Sequence, residues 1–158
     1  MKIFISYSVH DSELVRKIAE SIKQHVDRIY YWDASKELGE DAWTSIFGWI
    51  DDSDLVLAVI TDNTISRAMA VGNEIGHARA RNKKIIPLVA PEVPRDQLGC
   101  FQGVTYERIN RENPLPAIEA ICSQINRLKQ VRKDEAYGIG SFLVIAGLVA
   151  LVIWGSSE

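Results

Sequence analysis

The chain has 158 residues, is 47% apolar and 25% charged, and carries a formal net charge of −3 with a mean hydropathy of −0.03. That balance excludes intrinsic disorder and a fibrous chain, and 21 acids against 18 bases argue against a nucleic-acid binder that works by phosphate neutralisation. Two cysteines, Cys100 and Cys122, form neither a disulfide framework nor a zinc spacing and fit a reducing compartment.

Lys2–Tyr7 (KIFISY) reads as a buried strand. No signal peptide precedes it, because the apolar core is too short and polar Ser6, Ser8 and His10 follow at once. A helix comes next, with Asp11 or Ser12 as N-cap and Leu14, Val15, Ile18, Ile22 and Val26 on one face. Arg28–Trp32 is a second strand, Asp33–Glu40 a polar loop, and Asp41–Asp52 a helix with Trp43, Ile46, Phe47 and Ile50 at helical spacing. Asp54–Thr61 (DLVLAVIT) is a continuous apolar run of the parallel-sheet type.

Ser66 is placed to cap the following helix, which turns Val71, Ile75 and Ala78 inward and ends in Arg79, Arg81, Lys83 and Lys84, as suits the negative end of a helix dipole. Lys84–Val89 is a fourth strand whose Pro87 suits an edge-like or terminal position. Pro91–Gly99 is a loop, Gly103–Tyr106 a weak fifth strand, and Pro116–Leu128 a helix with Ile118, Ile121, Ile125 and Leu128 inward.

The last segment breaks the pattern. All 18 bases and every acid except Glu158 lie in residues 1–135. Residues 136–155 as a helix would span about 30 Å, the thickness of a bilayer's hydrocarbon core. Tyr137 and Trp154 stand at its ends, and Arg127, Lys129, Arg132 and Lys133 precede it. The sequence thus divides into a domain over 1–130, a juxtamembrane linker over 131–135, a transmembrane helix over 136–155 and a tail over 156–158. The charge distribution predicts a single-pass tail anchor with the N-terminal domain cytoplasmic. Ala136, Gly140 and Gly147, with Ala146 and Ala150 beside them, would permit lateral helix contact.

Strands alternating with helices predict an α/β domain, a flavodoxin-like open parallel sheet of about five strands. Ligands in such sheets bind outside the carboxyl ends of the strands where strand order reverses, which nominates Ser6–Asp11 and Thr61–Ser66. Common chemistries drop out. There is no Gly-rich phosphate loop and no G-x-S-x-G elbow, and His10, His25 and His77 lack metal-ligand spacing, so no metal is expected. The acidic pair that a phospho-receiver needs after its first strand is replaced by Ser6-Tyr7-Ser8.

KIFISYSVHD, the Asp33–Gly39 loop, IDDSDLVLAVIT and AVGNEIGHARARNKKIIPLV, in that order, resemble a Toll/interleukin-1 receptor (TIR) domain, most like the stand-alone TIR proteins of bacteria and archaea. The resemblance runs from Lys2 to about Val89, and more loosely to Leu128. It implies one of two functions. Some TIR domains cleave NAD+ at the nicotinamide–ribose bond, with NAD+ as substrate and no separate cofactor; others only assemble with further TIR domains as signalling adaptors, and many of the stand-alone bacterial and archaeal proteins are antiviral effectors or signal producers. The enzymatic kind carries a glutamate in a pattern resembling W-x-x-x-E, which Ala70-Val71-Gly72-Asn73-Glu74 matches at Glu74. A carboxylate under the ribose can stabilise the positive charge that builds as the glycosidic bond breaks. The bland alternative for Glu74 is a solvated helix residue paired with Arg67 or another base. Ala70 departs from the aromatic or cysteine that enzymatic members often keep, so a wall of the nicotinamide pocket is missing.

The same resemblance places Ser6, Tyr7 and Ser8 against the substrate, although turn and cap bonding would also explain them. It places Asp33 and Gly39 in a loop that gates the site and touches the next subunit, where Gly39 also serves a positive φ. With Thr61 and Ser66 from the strand-end rule, these complete the expected binding set. Trp43 or Trp32 could replace the missing aromatic surface, while the periodicity of Trp43 favours core packing. Nine acids in residues 27–62 oppose five bases in 63–84, which suits either head-to-tail TIR assembly or ordinary solvated helix ends. Expected partners are NAD+, other TIR domains and a lipid bilayer, with no nucleic acid. Nucleoside deoxyribosyl transfer, on a related fold, is a third reading.

Overall fold

A computed structural model of the chain describes the backbone of residues 1–37, 39–65 and 68–155, and side chains over 1–37, 39–64 and 69–135. Five strands form one sheet: β1 (Lys2–Ser6), β2 (Arg28–Tyr30), β3 (Leu55–Ile60), β4 (Lys84–Val89) and β5 (Glu107–Arg108). Their order is β2-β1-β3-β4-β5 and every pairing is parallel. This is the doubly wound order, with strand direction of travel reversing between β1 and β3.

The helices are α1 (Ser12–Ile22), α2 (Trp32–Ser35), α3 (Ala42–Asp52), α4 (Asp62–Ile65), α5 (Ala68–Ala80) and α6 (Leu115–Gly155). All six residues of β3 are buried, as a strand covered on both faces must be. Alternation sends Val56, Ala58 and Ile60 to one face, where they join Phe4, Ile50, Val71, Ile75 and Ala78 in a core beneath α3 and α5. Right-handed crossovers put α1 on the opposite face, since β1 to β2 travels against the direction of β3 to β4. Its buried Leu14, Val15, Ile18 and Ile22 carry the expected helical spacing. The chain divides into two units, Met1–Cys122 and Ser123–Glu158. In the first, α6 contributes buried Ala117, Ile118 and Ile121. In the second, the expected membrane span 136–155 lies outside the residues whose side chains are described; among the described residues no helix is long and apolar enough to cross a membrane.

Several predicted elements shift. The fifth strand is Glu107–Arg108 and not Gly103–Tyr106, because pairing with β4 begins only at Leu88. Pro87 holds its edge-like place inside the sheet. The Ala90 N–H bonds the Ile60 carbonyl, so even-numbered β4 residues face β3 and odd ones face β5, which does not reach Pro87. The second strand stops at Tyr30, and the predicted loop after it opens with the helical turn α2, which takes in Trp32 and Asp33.

Asp11 does not cap α1 through its side chain. Its carboxylate, 4% exposed, accepts the Thr61 hydroxyl at 2.6 Å and the Asn63 amide at 2.9 Å, and pairs with Arg111 at 3.2 Å. Arg111 also bonds Asp62 and lies 3.6 Å from Glu92. One guanidinium after β5 thus joins the loops that follow β1, β3 and β4.

Truncating Arg111 leaves the buried Asp11 carboxylate without its cation. Arg111→Ala is expected to lower the unfolding free energy by roughly 1–3 kcal/mol, read from urea titration. The double variant Asp11→Asn/Arg111→Ala loses less than the sum of the two single changes.

Candidate active site

Three of the chain's four tryptophans meet at one cavity. Trp32 comes from α2, and Trp43 and Trp49 from α3; with Tyr7, Ala70 and Glu74 they line a space of about 290 Å³. The helix registers explain the convergence. Trp43, Ile46 and Trp49 recur at intervals of three along α3, and Ala70, Val71 and Glu74 lie a turn apart on α5. Val71 and Ile75 belong to the core, which turns the α5 face bearing Glu74 inward to 8% exposure.

Ser6, the last residue of β1 and fully buried, donates its hydroxyl to Glu74 Oε2 at 2.5 Å. The bond fixes the Glu74 carboxyl group against the strand end. Glu74 is therefore not the solvated helix residue of the alternative reading; Arg67, its suggested partner, lies outside the described residues. Around the cavity the rings form two connected sets. Tyr30 stacks on Trp49 at 6.2 Å, Trp49 meets Trp32 at 6.2 Å, and Trp43 meets Phe47 at 5.5 Å. Phe47 in turn stacks on His77 at 4.3 Å, and His77 bonds Asp51 at 2.8 Å, joining α3 to α5.

At the other wall the Tyr7 hydroxyl donates to Asp33 at 2.9 Å and accepts from the Asp33 N–H at 3.3 Å. Burial pushes the Tyr7 phenol well above its ordinary range; the Asp33 carboxylate adds to the rise and the Asp33 N–H opposes it. The Tyr7 hydroxyl is a fixed neutral donor.

The other predicted residues divide. Trp43 is 39% exposed and lines the cavity, so its helical periodicity does not place it in the core. Ser8 is 2% exposed, and its hydroxyl has no hydrogen-bond partner among the described residues. Ser8 sits between Tyr7 and Val9, both of which line the cavity. Thr61 lies elsewhere, in the Asp11 network. Gly39 is exposed with φ +89°, the left-handed turn conformation, and does not line the cavity. Ser66 lies outside the described residues. Among the described residues no group of three or more His, Cys, Asp or Glu side chains is placed to hold a metal ion.

Sequence reasoning missed Trp49 and Ala42 as lining residues, and the Asp11–Arg111 hub entirely. Trp49 had a usable signal, its three-residue interval from Ile46. Arg111 had none, because its partners are distant in sequence. The segregated charges are partly met within the chain: Arg81 pairs with Asp51 at 3.1 Å and Lys83 bonds the Asp51 and Ser53 carbonyls.

Residues 3–122 match the family described as TIR domain. Among solved structures, the chain is similar to the CMP N-glycosidase BcmB of Clostridium botulinum, with 15% identity, a TM-score of 0.55, and coverage of 77% of this chain and 98% of that one. It is also similar to a chain of the RPS4 and RRS1 TIR domain heterodimer, with 13% identity, a TM-score of 0.56, and coverage of 80% and 97%. At these identities the likeness concerns the fold. A comparison with curated proteins gave no match.

The raised Tyr7 phenol sets an alkaline limit on stability. The unfolded chain loses its phenol proton near the usual value of about 10 while folded Tyr7 keeps it, so stability is full below that pH and falls as pH rises above it. Tyr30 is shifted the same way, mainly by burial. Tyr7→Phe is therefore expected to flatten this alkaline loss without removing it, in urea titrations across the range.

Proposed function

Because the chain belongs to the TIR domain family, we propose that it cleaves NAD+ at the nicotinamide–ribose bond, with Glu74 as the catalytic carboxylate. The observation that carries this reading is the buried Glu74 carboxylate, held by Ser6, facing a cavity walled by Trp32, Trp43 and Trp49. The family match and the fold shared with a nucleotide N-glycosidase support it.

In the proposed reaction the C1′–N bond breaks and its electron pair passes to the pyridinium nitrogen. Nicotinamide leaves neutral, and the ribosyl group is left as an oxocarbenium-like cation beside Glu74. Water adds to C1′ and releases a proton, giving ADP-ribose; attack by a group of the same molecule in place of water gives a cyclic product. The leaving group needs no acid. This suits a cavity lined by Tyr7, whose hydroxyl is engaged by Asp33, and by Glu74, which engages the Ser6 hydroxyl. A neutral pyrimidine leaving group would need a proton that these bonds do not offer. The tryptophan faces also suit a cationic ring over a neutral one. They supply the aromatic surface that Ala70 lacks.

The reading extends to where the reaction takes place. The uncharged run 136–155, preceded by Arg127, Lys129, Arg132 and Lys133, would hold the domain on the cytoplasmic face of a membrane and raise its local concentration for TIR–TIR assembly, in innate or antiphage defence. A second reading is a non-enzymatic adaptor. It is favoured by Ala70 and by the heterodimer recorded for one structural neighbour.

Chromatography of NAD+ products tests the choice. Full-length protein is expected to release nicotinamide, with a loss of roughly 10²–10³-fold in Glu74→Gln and a smaller loss in Ser6→Ala. Equal consumption by wild type and Glu74→Gln would remove Glu74 from the mechanism, and self-assembly without turnover would establish the adaptor. Full-length protein is also expected to float with phospholipid vesicles, and a chain ending at residue 135 to remain in the aqueous fraction.

A further inference from the structure

A second cavity is lined by sequence neighbours of residues that line the Glu74 pocket. It measures about 500 Å³ and is lined by Ser12, Glu13, Arg16, Tyr31, Asp33 and Ala34. The same two segments supply both spaces. The stretch after β1 gives Val9 to the first and Ser12 to the second, and the Ser12 hydroxyl donates to the Val9 carbonyl at 2.6 Å. Helix α2 gives Trp32 to the first and Asp33 to the second. Between them stands the hydrogen-bonded pair Tyr7–Asp33, one residue on each side.

The chemistry of the second cavity differs from that of the first. Arg16 makes no hydrogen bond or ion pair among the described residues, although its charge acts on Glu13, which is itself paired with Lys17 at 2.9 Å. Asp33 receives the Tyr7 hydroxyl and faces Lys36 at 4.0 Å, which damps its charge toward an incoming anion. Tyr31 is half-buried and offers a ring face. An exposed guanidinium, an aromatic ring and a carboxylate are groups that recognise, in turn, a phosphate, a purine and a ribose diol.

Size makes the same point. A pocket of 290 Å³ lies at the small end of the range for ligand sites and accommodates the nicotinamide riboside end of a dinucleotide. The remainder must leave past one of its walls.

We propose that the groove of Arg16, Tyr31 and Asp33 binds the adenosine diphosphate half of the substrate, with Arg16 on phosphate, Asp33 on ribose hydroxyls and Tyr31 against the adenine. The proposal rests on the Glu74 reading for the direction in which the substrate lies. It makes the Tyr7–Asp33 pair the divide between the two halves of the dinucleotide.

Calorimetry with ADP-ribose on the full 158-residue chain reads this groove without turnover. Wild type is expected to bind; Arg16→Ala weakens binding about tenfold, as loss of a charge-assisted bond does. Tyr31→Ala weakens it several-fold, and Arg16→Lys restores part of the loss. In turnover, Arg16→Ala is expected to raise KM for NAD+ far more than for nicotinamide riboside, which lacks the diphosphate. ADP-ribose binding that ignores both Arg16 and Tyr31, or no binding by folded wild type, overturns the proposal. ADP-ribose binding that depends on Arg16 in a protein that never cleaves NAD+ overturns the glycosidase reading and leaves the groove as a nucleotide site.

Discussion

The hydrogen bond from Ser6 to Glu74 joins the end of the sheet's second strand in space to the middle of α5, and the site is arranged around it. Burying a carboxylate costs several kcal/mol unless hydrogen bonds compensate. Here one compensation comes from a residue whose backbone is fixed by pairing with Ala58 of β3. The carboxylate inherits the rigidity of the sheet. A side chain on an exposed helix face would sample many rotamers; this one is confined to the wall of an apolar cavity, where an electrostatic effect on a developing cation is strongest.

The rest of the cavity follows from the helices that cover this face. β3 is apolar on both faces, so α3 and α5 must lie across it, and their first turns overhang the end of β1. Their separation is set by large rings and by the contact of His77 with Phe47 and Asp51. On the far side, the Arg111 hub fixes the loops after β1, β3 and β4 relative to one another. Both devices work at a distance from Glu74, and both decide where the loops bearing the site can go.

Much of this was legible in the sequence, for reasons that can be located. The strand β3 is read from an apolar run because burial on both faces leaves no room for polar residues, and β1 and β4 carry shorter apolar runs over residues 3–5 and 85–89. Glu74 was legible by resemblance, and its position between Val71 and Ile75 gave it a place at the edge of the buried stripe. The fifth strand was not legible, since two paired residues leave no periodicity to detect. Trp43 misled because a helical interval shows which face a residue occupies and not what that face meets; α3 lines the cavity with Ala42, Trp43, Ile46 and Trp49, of which Ile46 and Trp49 also pack against the core where Ile50 is buried. Asp11 misled in a related way. Its place before α1 is that of a cap, and its bonds run to residues some 50 positions away.

The short segment α2 brings these strands of argument together. A four-residue helix has little stability of its own and is held by its contacts. One side places Trp32 against Trp49, and the next residue, Asp33, takes the Tyr7 hydroxyl. The first contact shapes an apolar wall for a flat ring; the second closes that wall with a neutral phenol that burial keeps protonated. An apolar pocket closed in this way favours any flat ring by burying its surface, and it has a further reason to hold a charged one. Ring faces attract a cation, and a buried carboxylate across the cavity attracts it further. In the proposed cleavage, positive charge would leave the ring and gather on the sugar as the glycosidic bond breaks. The aromatic walls would then lose their hold on the ring at the stage when Glu74 gains its hold on the ribose, so an arrangement suited to binding a cationic ring would also favour its release as a neutral one.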